Sequence, residues 1–150
     1  MAKFVYRMQN ILNIKQKLET QAKMTYILAN QKYLEQQKIL QEYMVRRVGY
    51  EQHWKKLMQG NLNLQEVEHA RADVNAMKTI VRRQMVEVHK AEKELEDARN
   101  RLKTVMQERK VQEKLREKAF EEFKQELAEA ETKEIDELVS YTYNKGEQGE

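Results

Sequence analysis

The sequence has 150 residues, of which 35% are charged and 7% aromatic, with four Gly, no Pro and no Cys. This composition is typical of long helices and leaves too few large apolar and turn residues for a multilayered globular core. Without cysteine there are no disulfides or thiolate metal sites, and a net charge of +3 is too close to balance to indicate a nucleic-acid-binding protein.

Residues 4–58 are predicted to form the first helix. Apolar side chains recur along it at three- and four-residue steps, with polar interruptions and one phase slip near the middle. The stripe consists of Phe4, Met8, Ile11, Leu18, Ala22, Ala29, Tyr33, Leu40, Met44 and Val48. The pairs Tyr26 and Tyr33, and Tyr43 and Tyr50, recur seven residues apart, which fits either packing in the seam or a groove that binds a partner.

Residues 59–63 are predicted to form the turn. Gly60 can adopt the left-handed conformation that ends a helix, and Asn63 followed by Glu66 resembles a helix N-cap with its capping-box partner. We expect four apolar residues to close this end of the hairpin, namely Trp54, Leu57, Leu62 and Leu64.

A second helix is predicted over about residues 64–143. Its 3-4 stripe is more regular than that of the first helix and consists of Val67, Ala70, Val74, Met77, Val81, Val88, Ala91, Leu95, Ala98, Leu102 and Val105, interrupted by Gln84. Past Val105, a strict heptad would place three polar residues in the seam, namely Arg109, Gln112 and Arg116. The apolar residues instead shift to Val111, Leu115, Ala119, Phe123 and Leu127. This shift predicts a stutter in the coiled coil.

We therefore predict an all-α fold, a long two-helix antiparallel coiled-coil hairpin in which helix 2 is longer than helix 1. Residues 1–150 form a single domain, and the tail, residues 144–150, is expected to be frayed. Residues 1–58 carry 11 Lys/Arg against 4 Glu, and residues 107–137 carry 7 against 11 acidic residues. Antiparallel pairing places these opposite charges side by side.

The sequence contains no pattern that indicates catalysis. His53, His69 and His89 lack the spacing that puts two metal ligands on one helix face, and the glycines form no phosphate-binding loop. The paired arginines and lysines alternate with Glu and lack aromatic residues for base stacking. We expect no enzyme activity, no metal, no cofactor, no small-molecule substrate and no nucleic-acid partner.

The two ends of the chain resemble the flagellar export protein FliJ family. The opening Phe4-Val5-Tyr6-Arg7-Met8-Gln9-Asn10-Ile11-Leu12-Asn13-Ile14-Lys15 is similar to the start of family members. The stretch Arg116-Glu117-Lys118-Ala119 and the segment Lys133-Glu134-Ile135-Asp136-Glu137 are similar to their closing motifs. The chain length and the longer second helix fit as well.

The resemblance implies a component of the flagellar type III export apparatus that is cytoplasmic and peripherally associated with the membrane through that apparatus. Its partners would be a hexameric export ATPase, the cytoplasmic domain of the membrane-embedded export gate, and export chaperones. The ATPase would contact the paired termini, which here means Gln9, Leu12, Ile14, Ile135, Asp136, Glu137 and Leu138. For the gate, Asp73 replaces the Phe of the family pattern, which leaves Met77 and Ile80 as the matching positions.

An alternative function is a structural coiled-coil scaffold that associates with itself. A hairpin closes its seam within one chain, so we expect a monomer in isolation, whereas a scaffold assembles.

Overall fold

The computed structural model describes residues 2–148, and over them the chain forms two α-helices and no strand. Helix α1 spans Gln9–Leu57 and helix α2 spans Leu64–Gln148, with 49 and 85 residues. The all-α class, the helical hairpin and the longer second helix are therefore confirmed. Within these residues neither helix contains an apolar stretch long enough to cross a membrane.

One glycine and one asparagine shape the turn between the helices. Gly60 has a φ of 89°, in the left-handed region that side chains disfavour, and it follows the last turn of α1. The side-chain oxygen of Asn63 accepts a hydrogen bond from the Gln65 backbone N–H at 3.2 Å. This bond satisfies a free donor in the first turn of α2, so Asn63 is the N-cap of that helix.

Helix α1 begins later than the sequence predicted, at Gln9 rather than near Phe4. The Gln9 N–H donates to the carbonyl of Tyr6 at 3.1 Å, within a turn that precedes the helix. The first turn of α1 contains no acidic residue, and basic Arg7 precedes it. Positive charge at a helix N-terminus opposes the helix dipole, which explains why the helix does not extend further back.

Helix α2 continues to Gln148, past the predicted end near Tyr143. The predicted fraying relied on the position of these residues at the end of the sequence. A single glycine such as Gly146 costs a helix only about 1 kcal/mol relative to alanine, which is not enough to stop it. The last two residues of the predicted tail, 149–150, lie outside the described residues.

The chain divides into two compact units, which we describe separately. The terminal unit comprises Met1–Glu19 and Val105–Glu150, and the central unit comprises Thr20–Thr104. Each unit contains a part of both helices, and in each the contacts run antiparallel. In the central unit, for example, Lys32 pairs with Glu94 whereas Gln36, further along α1, pairs with an earlier residue of α2.

In the central unit the buried face of α2 is the predicted 3-4 stripe. Its buried apolar members are Ala70, Val74, Met77, Val81, Ala91, Leu95 and Ala98. The one polar member, Gln84, is also buried, and its side-chain amide donates to the Gln36 backbone carbonyl at 2.9 Å and to the Gln36 side-chain oxygen at 2.7 Å. The break in the apolar pattern is therefore filled by a hydrogen-bonded polar pair.

The α1 side of the central unit keeps a single phase, so the predicted phase slip is wrong. The covered 3-4 series is Ala22, Tyr26, Ala29, Tyr33, Gln36, Leu40, Tyr43 and Arg47. Met44 and Val48, which the slipped phase placed in the seam, are exposed. Polar Gln36 and Arg47 occupy seam positions, and their polarity hid the continuous phase in the sequence.

The predicted stutter in α2 is also wrong. In the terminal unit Val111 and Leu115 are exposed, whereas Arg109 and Gln112 are partly buried in the same heptad phase as the central seam. Arg109 bonds to Glu19 on α1, and Gln112 accepts a hydrogen bond from Tyr6 in the segment before α1, which offsets the cost of burying the two polar side chains. The phase therefore continues as far as Phe123, and the residues from Lys124 to Gly146 are all exposed.

Only part of the predicted apolar closure of the turn forms. Trp54 and Leu57, in the last turn of α1, are half-buried, whereas Leu62 and Leu64 are exposed. Leu62 lies in the turn, and Leu64 is the first residue of α2.

The central seam predicts the effect of a buried charge. Val81 is 2% exposed and Val86 is 53% exposed. Val81→Asp should lower the free energy of unfolding by about 3 kcal/mol or more because it buries an unpaired carboxylate, whereas Val86→Asp should change it by less than about 0.5 kcal/mol. Urea unfolding followed by circular dichroism measures both. Equal midpoints for the two variants would contradict the assigned seam.

Substituting alanine for Gly49 in α1 and for Gly60 in the turn should change the stability of the protein in opposite directions. An alanine at Gly60 would need the positive φ of 89°, so Gly60→Ala should destabilise the protein by about 1 kcal/mol. Gly49 lies inside α1 with nothing within 4 Å of an added Cβ, so Gly49→Ala should stabilise it by about 0.5–1 kcal/mol. Thermal unfolding of both variants gives the signs, and a shift in the same direction would refute the assigned backbone conformations.

Candidate partner-binding surface

The N-terminal segment is held against α2 by an aromatic cluster in the terminal unit. The Phe4 ring meets the Phe120 ring edge-on, with centroids 5.1 Å apart, and lies 5.5 Å from the Phe123 ring. The Arg116 guanidinium lies over the Phe4 ring at 5.6 Å, where it is attracted to the electron-rich face. These contacts fix the start of the chain beside Phe120 and Phe123 before α1 has begun.

Polar contacts continue this pairing along α1. The Tyr6 hydroxyl donates to the Gln112 side-chain oxygen at 3.3 Å, and Arg116 Nε donates to the Gln9 side-chain oxygen at 3.0 Å. One of the predicted site residues, Gln9, is therefore bonded within the chain. Its side chain sets the position of α1 on α2.

Deeper in the terminal unit, Arg109 and Glu19 form an ion pair inside the seam. The Glu19 side chain is buried, and Arg109 Nη1 also donates to Glu113 Oε2 at 2.7 Å. The hydrogen bonds to Glu113 and Glu19 raise the pKa of the Arg109 guanidinium above its ordinary value. The guanidinium therefore stays charged throughout the physiological range, and the pair is a permanent polar layer of the seam.

Helix α2 continues past Phe123 without a covering partner. Every residue from Lys124 to Gly146 is exposed, over about 35 Å at 1.5 Å per residue. We call these residues the unpaired segment. Its exposed large apolar side chains are Leu127, Ile135, Leu138, Val139, Tyr141 and Tyr143. The segment also contains six carboxylates and three lysines, so it is both acidic and apolar.

The predicted ATPase-binding residues fall into three groups in the structure. Ile135, Asp136, Glu137 and Leu138 all lie exposed on the unpaired segment. Ile14 is exposed on α1, at 56% of its surface, whereas Leu12 is buried against α2. The structure does not bring the α1 residues to the α2 group, because the segment that precedes α1 already packs beside Phe120 and Phe123.

The two predicted gate-binding residues lie in the central unit. Met77 is 7% exposed and belongs to the seam, so packing alone accounts for its apolar character. Ile80 is half-buried and lines a shallow groove of about 430 Å³ together with Tyr43, Arg83 and Val86. Of the tyrosine pairs, Tyr26, Tyr33 and Tyr43 are half-buried in the seam, and Tyr50 is exposed.

Sequence reasoning placed Leu127 in the seam and missed Tyr141 and Tyr143, and all three lie exposed on the unpaired segment. Their signal was present, because past Phe123 the apolar residues leave the heptad phase of the seam, which continues through Glu126, Ala130 and Lys133. A change of phase at the end of a seam indicates that the helix turns its apolar side to something other than its original partner.

Comparison with known families identifies the chain. The sequence matches the family model described as flagellar FliJ protein over residues 4–148. The chain belongs to the flagellar FliJ protein family. It is therefore a component of the flagellar type III protein export apparatus. This match confirms the resemblance seen at the two termini.

A solved structure shares the fold of this FliJ family member. It is described as that of a YscO homolog, CT670 from Chlamydia trachomatis, with a TM-score of 0.69 and 19% identity. The match covers 99% of this chain and 100% of the other chain. At this identity the likeness concerns the fold alone. No curated protein sequence matches the chain.

The buried ion pair predicts how the seam responds to losing one charge. Arg109→Leu removes a charged partner from the buried Glu19 carboxylate, so the unfolding midpoint should fall below that of the wild type. The double variant Arg109→Leu with Glu19→Leu replaces both charges by apolar groups and should recover most of the loss. Thermal unfolding measures both. Lys110→Leu, at an exposed neighbouring position, is the control and should leave the midpoint unchanged; a double variant no better than Arg109→Leu would show that the pair is not a seam layer.

Proposed function

We propose that the chain is a stalk and adaptor of flagellar export that binds and stimulates a hexameric export ATPase through the unpaired segment. One observation carries the proposal, namely that α2 continues from Lys124 to Gly146 with all side chains exposed, six of them large and apolar. An isolated helix gains little from its own hydrogen bonds in water, so packing against a partner is the main source of stability available to this segment.

The dimensions and chemistry of the unpaired segment suit insertion into a protein ring. A single helix with side chains is about 10–12 Å wide, narrower than any pair of helices. Ile135, Leu138 and Val139 lie at three- and four-residue spacing on one face, and Asp136 lies at an edge of that face. Such a face fits a lining that offers apolar contacts and basic side chains.

Of the three α1 residues that were expected to contact the ATPase, only one is proposed to do so directly. We propose that Ile14, which is exposed, contacts the ATPase at the base of the unpaired segment. Leu12 and Gln9 act indirectly, because Leu12 packs in the seam and Gln9 accepts a hydrogen bond from Arg116. Their role is to hold α1 in place beside α2.

For the export gate, we propose that contact is made at the groove around Ile80, where Tyr43 lies beside it. Met77 supports this groove from the seam. Export chaperones are further proposed partners, and the protein would be cytoplasmic and reach the membrane periphery through the apparatus. We propose that it has no enzyme activity or cofactor and is monomeric in isolation, since each part of its seam is closed within one chain.

Stimulation of the ATPase should depend on the apolar face of the unpaired segment. The double variant Ile135→Ser with Leu138→Ser should reduce the stimulation of the purified flagellar export ATPase by about tenfold or more, because it removes two apolar contacts. The matched control is Leu62→Ser with Leu64→Ser, which changes two equally exposed apolar residues at the turn. The control should stimulate like the wild type.

Truncation after Ala130 tests the same end of the molecule. It should abolish stimulation but leave the unfolding midpoint unchanged, because the removed residues that the structure describes contribute nothing to the seam. Full stimulation by the truncated chain, or a loss seen only in the turn variant, would mean that the ATPase binds elsewhere.

A further inference from the structure

In the central unit, helix α1 carries a second 3-4 series of residues on the side away from the seam. All eight members of this series are exposed, and five of them are large and apolar. A series that keeps the heptad spacing over 25 residues is typical of a helix that packs against another helix. We call this series the outer stripe, and its members are Met24, Ile27, Gln31, Leu34, Lys38, Gln41, Val45 and Val48.

The outer stripe has the same kind of composition as the seam inside the molecule. Polar residues interrupt the apolar residues of the seam, and the facing helix supplies their partners, as Gln36 does for Gln84. The outer stripe is interrupted by two glutamines and by one charged residue, Lys38, which is in no ion pair of the described residues. A helix that binds there must have an apolar series of the same spacing and a carboxylate opposite Lys38.

The unpaired segment of α2 meets both requirements. Five of its residues follow each other at steps of four, three, four and three, which are also the steps of the outer stripe from Leu34 to Val48. If a second copy places its Leu127 opposite Leu34 in parallel, each layer combines residues that suit each other. The layers are Leu34 with Leu127, Lys38 with Glu131, Gln41 with Glu134, Val45 with Leu138, and Val48 with Tyr141.

The edges of this parallel alignment bring no like charges together. In a parallel coiled coil the residues that flank the apolar series of one helix face those of the other. The three flanking carboxylates face uncharged residues, namely Glu35, Glu42 and Glu137 opposite Phe123, Ala130 and Gly49. An antiparallel alignment that pairs Lys38 with a carboxylate places Tyr141 opposite Gln31 and so loses one apolar layer.

We propose that the outer stripe of α1 binds the unpaired segment of a second copy of the chain, in parallel and with Glu131 opposite Lys38. The contact uses no part of the seam, so dilute chains are monomers and copies associate as the protein concentration rises. The unpaired segment is also the proposed ATPase-binding element, so the ATPase and the second copy exclude each other. This last consequence rests on the proposed function, whereas the contact itself does not.

Sedimentation equilibrium of the full chain over a range of concentrations measures the association. A contact of five layers is weak, so we expect a monomer at about 1 µM and a mass above that of the monomer at about 200 µM. Leu34→Asp with Val45→Asp should weaken the association by about tenfold or more. The control, Met85→Asp with Val86→Asp, changes an exposed apolar pair on α2 and should leave it unchanged. A monomer at every concentration would overturn the proposal.

Exchange of the two charges tests the layer at Lys38. Lys38→Glu and Glu131→Lys each place like charges in that layer, so each should weaken the association several-fold. The double variant restores opposite charges and should recover most of the affinity. Both substitutions lie at exposed positions, and circular dichroism verifies that the variants are folded. A double variant that associates no better than the single ones would show that the two residues do not face each other.

The absence of cysteine from the sequence allows a direct test of the alignment. A Leu34→Cys chain mixed with a tagged Leu127→Cys chain should form the mixed disulfide on oxidation, because the two positions share a layer. Leu34→Cys with Leu138→Cys is the control and should form little of it, since Leu138 lies about 16 Å further along the helix. A higher yield with Leu138→Cys, or equal yields, would contradict the parallel alignment.

The ATPase assay separates this proposal from the proposed function. The Leu34/Val45 variant keeps the unpaired segment intact and should stimulate the export ATPase like the wild type. If the wild type associates but the Ile135/Leu138 variant stimulates normally, the proposed function fails and this contact stands. If the wild type stays monomeric while the Ile135/Leu138 variant loses stimulation, this contact fails and the proposed function stands.

Discussion

The side-chain seam between α1 and α2 is the constraint on which the remaining features depend. Most of the stability of helices in proteins comes from packing of an apolar face, and in these two helices one apolar stripe is buried. In the central unit the stripe combines Val74 and Val81 with the small residues Ala70, Ala91 and Ala98. Small seam residues let the helices approach closely, so a seam of modest apolar area can still be tightly packed.

Polar layers inside the seam determine which residues face each other. Gln36 with Gln84 in the central unit, and Glu19 with Arg109 in the terminal unit, are satisfied only when the two helices are in one register. An apolar seam alone tolerates a slip by one heptad, whereas a slip here would leave buried amides or charges unpaired. These layers therefore add little to stability and contribute mainly to the uniqueness of the pairing.

The extent of the seam also determines which apolar side chains of α2 stay exposed to partners. From Lys124 to Gly146 no residue of α2 is covered, and the apolar residues leave the heptad phase. The seam and the unpaired segment thus divide one helix into a structural part and a part with exposed apolar side chains.

The sequence alone determined the fold class, the stripe of α2, and the chemistry of the turn at Gly60 and Asn63. These depend on local properties, namely apolar periodicity, the freedom of glycine and the capping ability of asparagine. Pattern reading failed where a polar side chain occupies the seam. Met8 and Ile11, the phase of α1 past Ala29 and the phase of α2 past Val105 were assigned wrongly. Apolar periodicity treats Gln, Arg and Glu as solvent-facing, whereas Gln36, Arg109 and Glu19 lie in the seam.

Only the tertiary structure decided those positions, since a polar residue can be buried when the facing helix offers a partner, and that partner is distant in the sequence. Arg109 lies in the seam because Glu19 lies opposite, and Gln84 because Gln36 does. The tertiary structure also decided which of the predicted ATPase-binding residues are exposed. Leu12 and Leu138 are the same residue type in family-like motifs, yet Leu12 is buried and Leu138 exposed, because only Leu12 has a second helix packed against it.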